Sequence, residues 1–393
     1  MQKRNIRLCY AIAFLQGLVF YAPVATLYRQ ANGVGVFQIT VIESISLAAS
    51  LAMELPWGWI ADRIGYRNTL VICHFLYFIS KIVFWRAEGF GWFLTERLLL
   101  SIVLSGLSGC DSAYLFLSMG GNNCPERESR RIFGLWEALN TAGLVLACMA
   151  FSLFIGENYR LAALFSAYTY GAAFLLSLFL PSVPLEAAAA RPKLRAFWAT
   201  LFQDRRFLLF LLGAALLAES KQTITVFLNQ LQYLRSGIPP VAMGICTILV
   251  TLSSLLAAQS HRLAGRLGER RSAILLFGTG GMACILMALF AQPILSVAGM
   301  MALSAAGALF IPLRMDIQNR HISVANRATA LSVHSFVMNL TATGTNLAFG
   351  ALADHSVIPA LFLGAAFCFF RSISMFPGKS ACQTSGNMIS SVL

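Results

Sequence analysis

Three acidic residues interrupt long apolar segments of the sequence: Asp111, Glu137 and Glu219. An ionisable side chain at membrane depth is costly, so it usually faces a cavity or a charged partner. In a cavity that changes its exposure, a carboxylate can take up and release a proton, so these residues are candidates for proton coupling. Asp111 is the first candidate because no basic residue lies one helical turn away. The alternative is that one or both of Asp111 and Glu137 are paired with Arg130, Arg131 or backbone groups as static structure.

The predicted span that contains Glu219 has further polar residues between Glu219 and its outer end. Its polar residues are Lys221, Gln222, Asn229, Gln230 and Tyr233. Residues two apart on a helix do not face each other, so we expect Glu219 and Lys221 to have different partners. This segment is the best candidate to line a substrate path, and a buried network between helices is the alternative.

Four further charges lie near predicted outer ends of apolar segments. We expect Glu96 and Arg97 to be solvated at the interface and Glu43 to lie near it. For Lys81 we expect a long side chain that extends to the membrane surface.

These residues must be positioned by membrane-spanning helices. The 393 residues are 58% hydrophobic and 11% charged, with a mean hydropathy of +0.72. Spans of about 20 apolar residues are needed to cross a membrane, and their backbone must be satisfied internally, which favours helices. The twelve predicted spans are 8–28, 38–60, 69–86, 92–119, 132–155, 161–180, 207–233, 240–260, 272–291, 295–316, 329–352 and 357–376.

The net charge of +13 is a topology signal and not a nucleic-acid-binding surface. If the N-terminus is cytoplasmic, most of the 29 basic residues fall on the cytoplasmic side of the predicted spans. This asymmetry is the positive-inside bias. We therefore expect a multi-pass protein of the plasma membrane, the inner membrane of a bacterium, with both termini in the cytoplasm.

A short charged segment, residues 58–67, separates the second and third spans and reads GWIADRIGYR. It is too short for anything but a tight turn, and glycine permits the close backbone approach that such a turn needs. An acidic side chain here can face a helix N-terminus, while the basic ones can bond across the cytoplasmic face. The motif residues are Gly58, Asp62, Arg63, Gly65 and Arg67.

This segment resembles the loop between helices 2 and 3 of the major facilitator superfamily. Gly350-Ala351-Leu352-Ala353-Asp354 resembles the end of helix 11 in the same superfamily. The resemblance implies an all-α integral membrane fold, in which twelve transmembrane helices form two six-helix bundles with pseudo-twofold symmetry. It also implies that Asp62 faces the N-terminus of helix 11 and holds the inner gate closed while the protein opens outward.

Internal similarity supports two halves. Residues 60–67 align with 263–270, about half the chain apart, and each segment follows the second span of its half. The predicted organisation is an N-terminal six-helix bundle (1–180), a basic cytoplasmic linker (181–206), a C-terminal six-helix bundle (207–376) and a cytoplasmic tail (377–393). Two repeated bundles meeting at a central site are the architecture of many secondary transporters.

The expected function is secondary active transport of a small molecule by alternating access, coupled to a proton gradient and without a cofactor. We expect the lipid bilayer and a small-molecule substrate as partners, with neither nucleic acid nor an obligatory protein partner. A phosphate-binding loop and common hydrolase motifs are not found in the sequence, so an enzyme is disfavoured. A non-transporting sensor or scaffold of the same fold is the alternative. Within transporters, drug export and nutrient import both stay open.

Overall fold

A computed structural model describes residues 2–108, 110–120, 124–183, 205–321 and 327–370. Within these ranges every regular element is helical. Most of the predicted linker and the whole predicted tail lie outside the described residues. Their placement, and the domain boundaries that depend on it, stay predictions.

The described residues form twelve helical segments, labelled α1 to α12, and several consist of consecutive helical pieces. The first six are α1 (Gln2–Gly17, Ala22–Val24 and Ala25–Ala31), α2 (Val36–Ile64), α3 (Tyr66–Arg86), α4 (Gly89–Leu107 and Cys110–Ser118), α5 (Glu126–Ala150 and Phe151–Ile155) and α6 (Tyr159–Ser177).

The last six segments are α7 (Arg205–Gln222, Thr223–Leu228 and Asn229–Arg235), α8 (Pro240–Ala242, Met243–Ser254, Leu255–Gln259 and Ser260–Leu267), α9 (Glu269–Leu289), α10 (Pro293–His321), α11 (Arg327–Ala353) and α12 (Val357–Phe369). Each predicted span coincides with one segment, so the prediction of twelve helices is confirmed. Among the described residues, nine segments are long and apolar enough to cross a membrane, and Val357–Phe369 is a shorter apolar helix.

The tight turn predicted between α2 and α3 is present, and it recurs in the second half. Gly65 has φ 83° between α2 and α3, and Gly268 has φ 78° between α8 and α9. A positive φ strains residues with a Cβ, which explains glycine at both turns. These two glycines occupy equivalent places in the aligned segments 60–67 and 263–270, so the sequence repeat is also a repeat of local structure.

Helix packing follows the same repeat. In the first half α2 packs on α4, α3 packs on α4 and α6, and α1 packs on α5 and α6. In the second half α8 packs on α10, α9 packs on α10 and α12, and α7 packs on α11 and α12. Adding six to each label converts the first set into the second. The chain therefore forms two six-helix bundles related by a pseudo-twofold axis, as predicted.

Two helix pairs join the bundles, α2 with α11 and α5 with α8, and the pseudo-twofold exchanges them. We call the face where α2 begins the outer face and the face where it ends the inner face. Hydrogen bonds connect the bundles in the outer half, at Thr26, Leu27, Phe37 and Ser44 on the first bundle. The bundles are therefore held together at their outer ends.

The contact between α2 and α11 is tight. Gly350 of α11 faces Thr40 of α2, and a Cβ at position 350 would lie 2.7 Å from the Thr40 Cβ and 3.0 Å from its Cγ2. The Ser44 hydroxyl donates to the Thr343 carbonyl at 3.1 Å, and the Phe37 amide donates to Asp354 Oδ1 at 3.1 Å. Asp354 thus accepts from the first turn of α2, where a helix favours negative charge.

Candidate functional site

A buried ionic cluster joins three helices of the first bundle. Arg29 of α1 lies 3.6 Å from Glu43 of α2, measured from Nη1 to Oε1, and Arg97 of α4 donates from Nη2 to Glu43 Oε2. Glu43 is 3% exposed and Arg29 is 5% exposed. The expectation that Arg97 is solvated at the interface is wrong, because it pairs with Glu43 inside the bundle. Two cations share one carboxylate, which leaves this cluster with a net positive charge.

A second buried pair contradicts the expectation for Lys81 and Glu96. The Lys81 ammonium lies 3.3 Å from Glu96 Oε1 and donates to the Tyr21 hydroxyl at 2.9 Å. Lys81 is 2% exposed, so its side chain points into the bundle and not toward the membrane surface. Aromatic rings surround the ammonium, with the Tyr77 and Tyr170 centroids at 5.3 and 5.6 Å. Carboxylate, hydroxyl and ring faces together compensate the buried charge.

Glu219 of α7 lies in a polar group that reaches α11. The Thr223 hydroxyl is 3.0 Å from Glu219 Oε1 and 2.8 Å from Asn346 Oδ1, and all three residues are buried. One hydroxyl proton cannot serve two acceptors, so this arrangement needs either a proton on Glu219 or a rotated Asn346 amide. Glu43 of the first bundle is close enough for its charge to repel a carboxylate at Glu219 of the second.

Lys221 lies on a different side of α7 from Glu219, as predicted for residues two apart. The aliphatic part of its side chain packs on Gly307 of α10, where Lys221 Cδ and Cγ are 2.9 and 3.0 Å from the place a Gly307 Cβ would take. Lys221 is partly buried, and no hydrogen bond or ion pair of its side chain occurs among the described residues. Gln222 is exposed on the adjacent face.

The remaining residues of the predicted substrate path lie at the closed outer end. Gln230 Oε1 accepts from the backbone amides of Thr26 and Leu27 at 2.8 and 3.0 Å, just after the break in α1. Asn229 accepts from the Gln230 amide at 2.9 Å, and Tyr233 is fully buried. In this conformation the outer part of the path therefore belongs to the contact between the bundles.

The other two predicted proton-coupling carboxylates lie toward the inner end of the first bundle. Asp111 is in the first turn of the second piece of α4, where Oδ1 accepts from the Ser112 amide at 2.6 Å. It lines an internal cavity with His74 and Gln16. Glu137 is exposed on α5 and does not line that cavity. The structure thus places the three candidate acids at separate positions.

The gating motif is described only in part. The surroundings of Gly58 and the side chain of Asp62 are not among the described parts of the chain, so the predicted contact of Asp62 with α11 stays a prediction. Arg67 donates from Nε to the Leu180 carbonyl at 2.5 Å and from Nη2 to the Leu178 carbonyl at 3.1 Å. Arg67 therefore binds the end of α6 in its own bundle, and Arg63 lies exposed in the last turn of α2.

Sequence reasoning missed several residues that the fold brings to these clusters: Arg29, His74, Asn346 and Tyr21. Arg29 and His74 carried a usable signal, because each is a basic side chain within an apolar span. Asn346 and Tyr21 carried none, since amides and hydroxyls occur on many helix faces.

Two pseudo-symmetric helical bundles that meet around buried ionisable groups define a polytopic membrane protein of the transporter type. The sequence matches the family model of the Major Facilitator Superfamily over residues 8–342. The chain belongs to this superfamily. Among curated proteins, none matches the sequence significantly.

Solved structures with the same fold include a nucleoside transporter, a sugar–proton symporter and a homologue of a lysosomal transporter. The nucleoside transporter NupG is 18% identical, with a TM-score of 0.82 over 95% of this chain and 100% of that one. A D-xylose-proton symporter is 14% identical, with a TM-score of 0.71 over 96% and 98% of the two chains. A bacterial homologue of the human lysosomal transporter Spinster, inward-facing and unoccupied, is 14% identical, with a TM-score of 0.70 over 95% and 97%.

Proposed function

We propose that this protein is a secondary active transporter that moves a small molecule across the membrane by alternating access. The observation that carries the proposal is the pair of symmetry-related contacts, α2 with α11 and α5 with α8, at the outer ends of the bundles. Because the bundles meet along these helix pairs, a rocking motion about them would close the inner end while it opens the outer one.

We infer that the substrate is a polar solute. Charged side chains are buried or partly buried in both bundles, Glu43 in the first and Glu219 and Lys221 in the second. Charges held in a low-dielectric interior favour a ligand that replaces lost hydration. This argument supports nutrient or metabolite transport over export of apolar drugs. Nucleosides and sugars, the cargo of the NupG transporter and of the xylose symporter, are reasonable first probes.

We infer further that transport is coupled to protons and that Asp111 carries or stabilises the coupling site. Asp111 is partly buried, lines a cavity and makes no ion pair among the described residues. Of the static partners weighed above, a backbone amide, that of Ser112, bonds to Asp111, and no arginine pairs with it among the described residues. Glu219 is the strongest competing site, because its oxygen contacts need an additional proton or a rotated amide, and Glu137 is the weakest because it is exposed.

The deciding experiment has two stages. A thermal-stability screen of purified protein against nucleosides, sugars and organic anions selects a ligand. Flux and substrate-driven proton movement are then measured in liposomes for wild type, Asp111→Asn and Glu219→Gln. We expect proton movement in wild type and its loss in Asp111→Asn while substrate exchange persists.

Unchanged coupling in Asp111→Asn would remove Asp111 from the mechanism. Exchange without proton movement in wild type would refute proton coupling. A ligand that binds to the protein but never crosses the membrane would support the sensor alternative.

A further inference from the structure

We propose that His74 and Asp111 form a proton-transfer site within the first bundle, away from the contact between the bundles. The proposal rests on the proposed proton coupling, to which it adds a second residue and a location. The two side chains come from different helices, His74 from α3 and Asp111 from the second piece of α4, and these helices pack together.

Both side chains line one cavity inside the bundle. Its polar lining consists of Gln16, His74, Asp111 and the Tyr114 ring, and its remaining lining is mainly apolar. Every lining residue belongs to the first bundle, the last being Leu180, so the cavity does not lie at the interface where Glu43 and Glu219 interact. His74 and Asp111 each lie about 12 Å from the inner ends of their helices at 1.5 Å per residue.

Gln16 of α1 holds the imidazole of His74. The Gln16 Nε2 atom lies 3.1 Å from His74 Nδ1, and His74 is 5% exposed. When the amide nitrogen donates, Nδ1 accepts and the ring proton is on Nε2. When the amide is rotated, Nδ1 donates to the amide oxygen. A single partner therefore satisfies either tautomer, so the ring can take a proton on one nitrogen and release it from the other.

Asp111 complements this imidazole. One of its oxygens accepts from the Ser112 amide at a helix N-terminus, which stabilises the carboxylate without a cation. The carboxylate also lines the cavity, so it is open to a proton from that side. Asp111 is therefore held in place and is still able to receive a proton.

Few other titratable groups face the pair. From α1 the cavity is lined by the Cys9 thiol, and from α4 by Tyr114, whose hydroxyl donates to the Pro181 carbonyl at 2.8 Å. From α5, Glu137 acts on Asp111 only as a nearby charge. Among the described lining residues, His74 and Asp111 are thus the imidazole and the carboxyl group that share the cavity, and a proton can pass between two such groups.

The proposed step is a proton transfer. A protonated His74 imidazole loses the proton from one ring nitrogen, and the Asp111 carboxylate gains it through water in the cavity. The products are a neutral imidazole and a neutral carboxylic acid, so the net charge of the cavity is unchanged. Such a transfer moves a proton between α3 and α4 without moving charge across the bundle interface.

The test separates coupling from transport. His74→Gln is compared with wild type in liposomes for two quantities, substrate counterflow at equal pH and substrate-driven proton movement. We expect counterflow to persist while proton movement per substrate falls by about tenfold or more, since a positioned acid–base group contributes at least that much. His261→Gln, at an exposed position on α8, is the matched control and should change neither quantity.

Wild-type proton movement in His74→Gln would overturn the proposal. If His74→Gln lacks counterflow because it folds poorly, Gln16→Leu decides, since it keeps the imidazole and removes its partner. Reduced coupling in Gln16→Leu with intact counterflow supports the proposal, and unchanged coupling overturns it. The proposed function is tested by the wild-type protein alone. Absence of counterflow in wild type would refute transport, and absence of proton movement would refute proton coupling.

Discussion

Gly350→Ala should open the outer end of the protein. The contact between α2 and α11 closes that end, and the three atoms nearest to a Cβ at position 350 all belong to the Thr40 side chain. None of them can retain its position next to an added methyl group. The variant can fold without difficulty in a conformation where α2 and α11 have separated, so the steric cost falls on the closed state alone.

The magnitude follows from the type of clash. Overpacking a tight contact costs about 1–3 kcal/mol. A bias of that size between two conformations shifts their ratio by about 5–150-fold. We expect a shift of this order toward the outward-open form, together with slower transport, because the return to the closed form becomes the unfavourable step.

The assay is thiol accessibility from the outer face. In a background without the nine native cysteines, Ser44→Cys places a thiol at a buried position of the α2–α11 contact. A membrane-impermeant maleimide should label it faster in Gly350→Ala by the factor given above. Gly344→Ala is the matched control, because on the same helix a Cβ at 344 meets nothing within 4 Å.

A compensating change provides the decisive comparison. Thr40→Gly removes all three clashing atoms, so Thr40→Gly combined with Gly350→Ala should restore slow labelling. Equal labelling rates in Gly350→Ala and wild type would refute the reasoning. So would a double variant that labels as fast as Gly350→Ala alone.

Three further predictions concern the gate, the topology and the buried ion pair. Asp62→Asn should strongly reduce flux with expression and substrate affinity nearly unchanged, because it alters the gate equilibrium; normal flux would contradict this role. Ser182→Cys should resist labelling from outside intact cells, because the linker is predicted to be cytoplasmic; external labelling would overturn the predicted topology. Lys81→Met should lower thermal stability in detergent, because breaking a buried pair costs about 3–5 kcal/mol. The double variant Lys81→Met with Glu96→Leu should recover most of the lost thermal stability. A double variant that is as unstable as Lys81→Met alone would contradict the pairing.

Hydropathy predicted the helices well for a physical reason. A membrane requires long apolar segments with internally satisfied backbone, so the number and order of helices can be read from composition. The turn at Gly65 was predictable because two spans leave so little chain between them. The sequence repeat around Gly268 then indicated two halves.

Side-chain orientation was much less predictable. In a membrane bundle both lipid-facing and buried positions are apolar, so the sequence around Lys81 carries little information about which way it points. A long side chain can reach either the membrane surface or a buried acid. The packing of α3 on α4 and α6 places Glu96 next to Lys81, and this packing cannot be read from the sequence around Lys81. His74 and Asp111 share a cavity for the same reason, since their proximity depends on helix packing and not on spacing along the chain.

The hydrogen bonds from Thr26 and Leu27 to Gln230 have a consequence for how the chain is made. The two amides belong to the first transmembrane segment, whereas their acceptor lies more than 200 residues later in the chain. While the ribosome is still adding α2 to α6, these donors must bind water or lipid headgroups, because an unsatisfied amide in hydrocarbon is costly. The amides of α1 can therefore form these bonds only after α7 has been inserted. For α1, folding is complete only when the two bundles have come together.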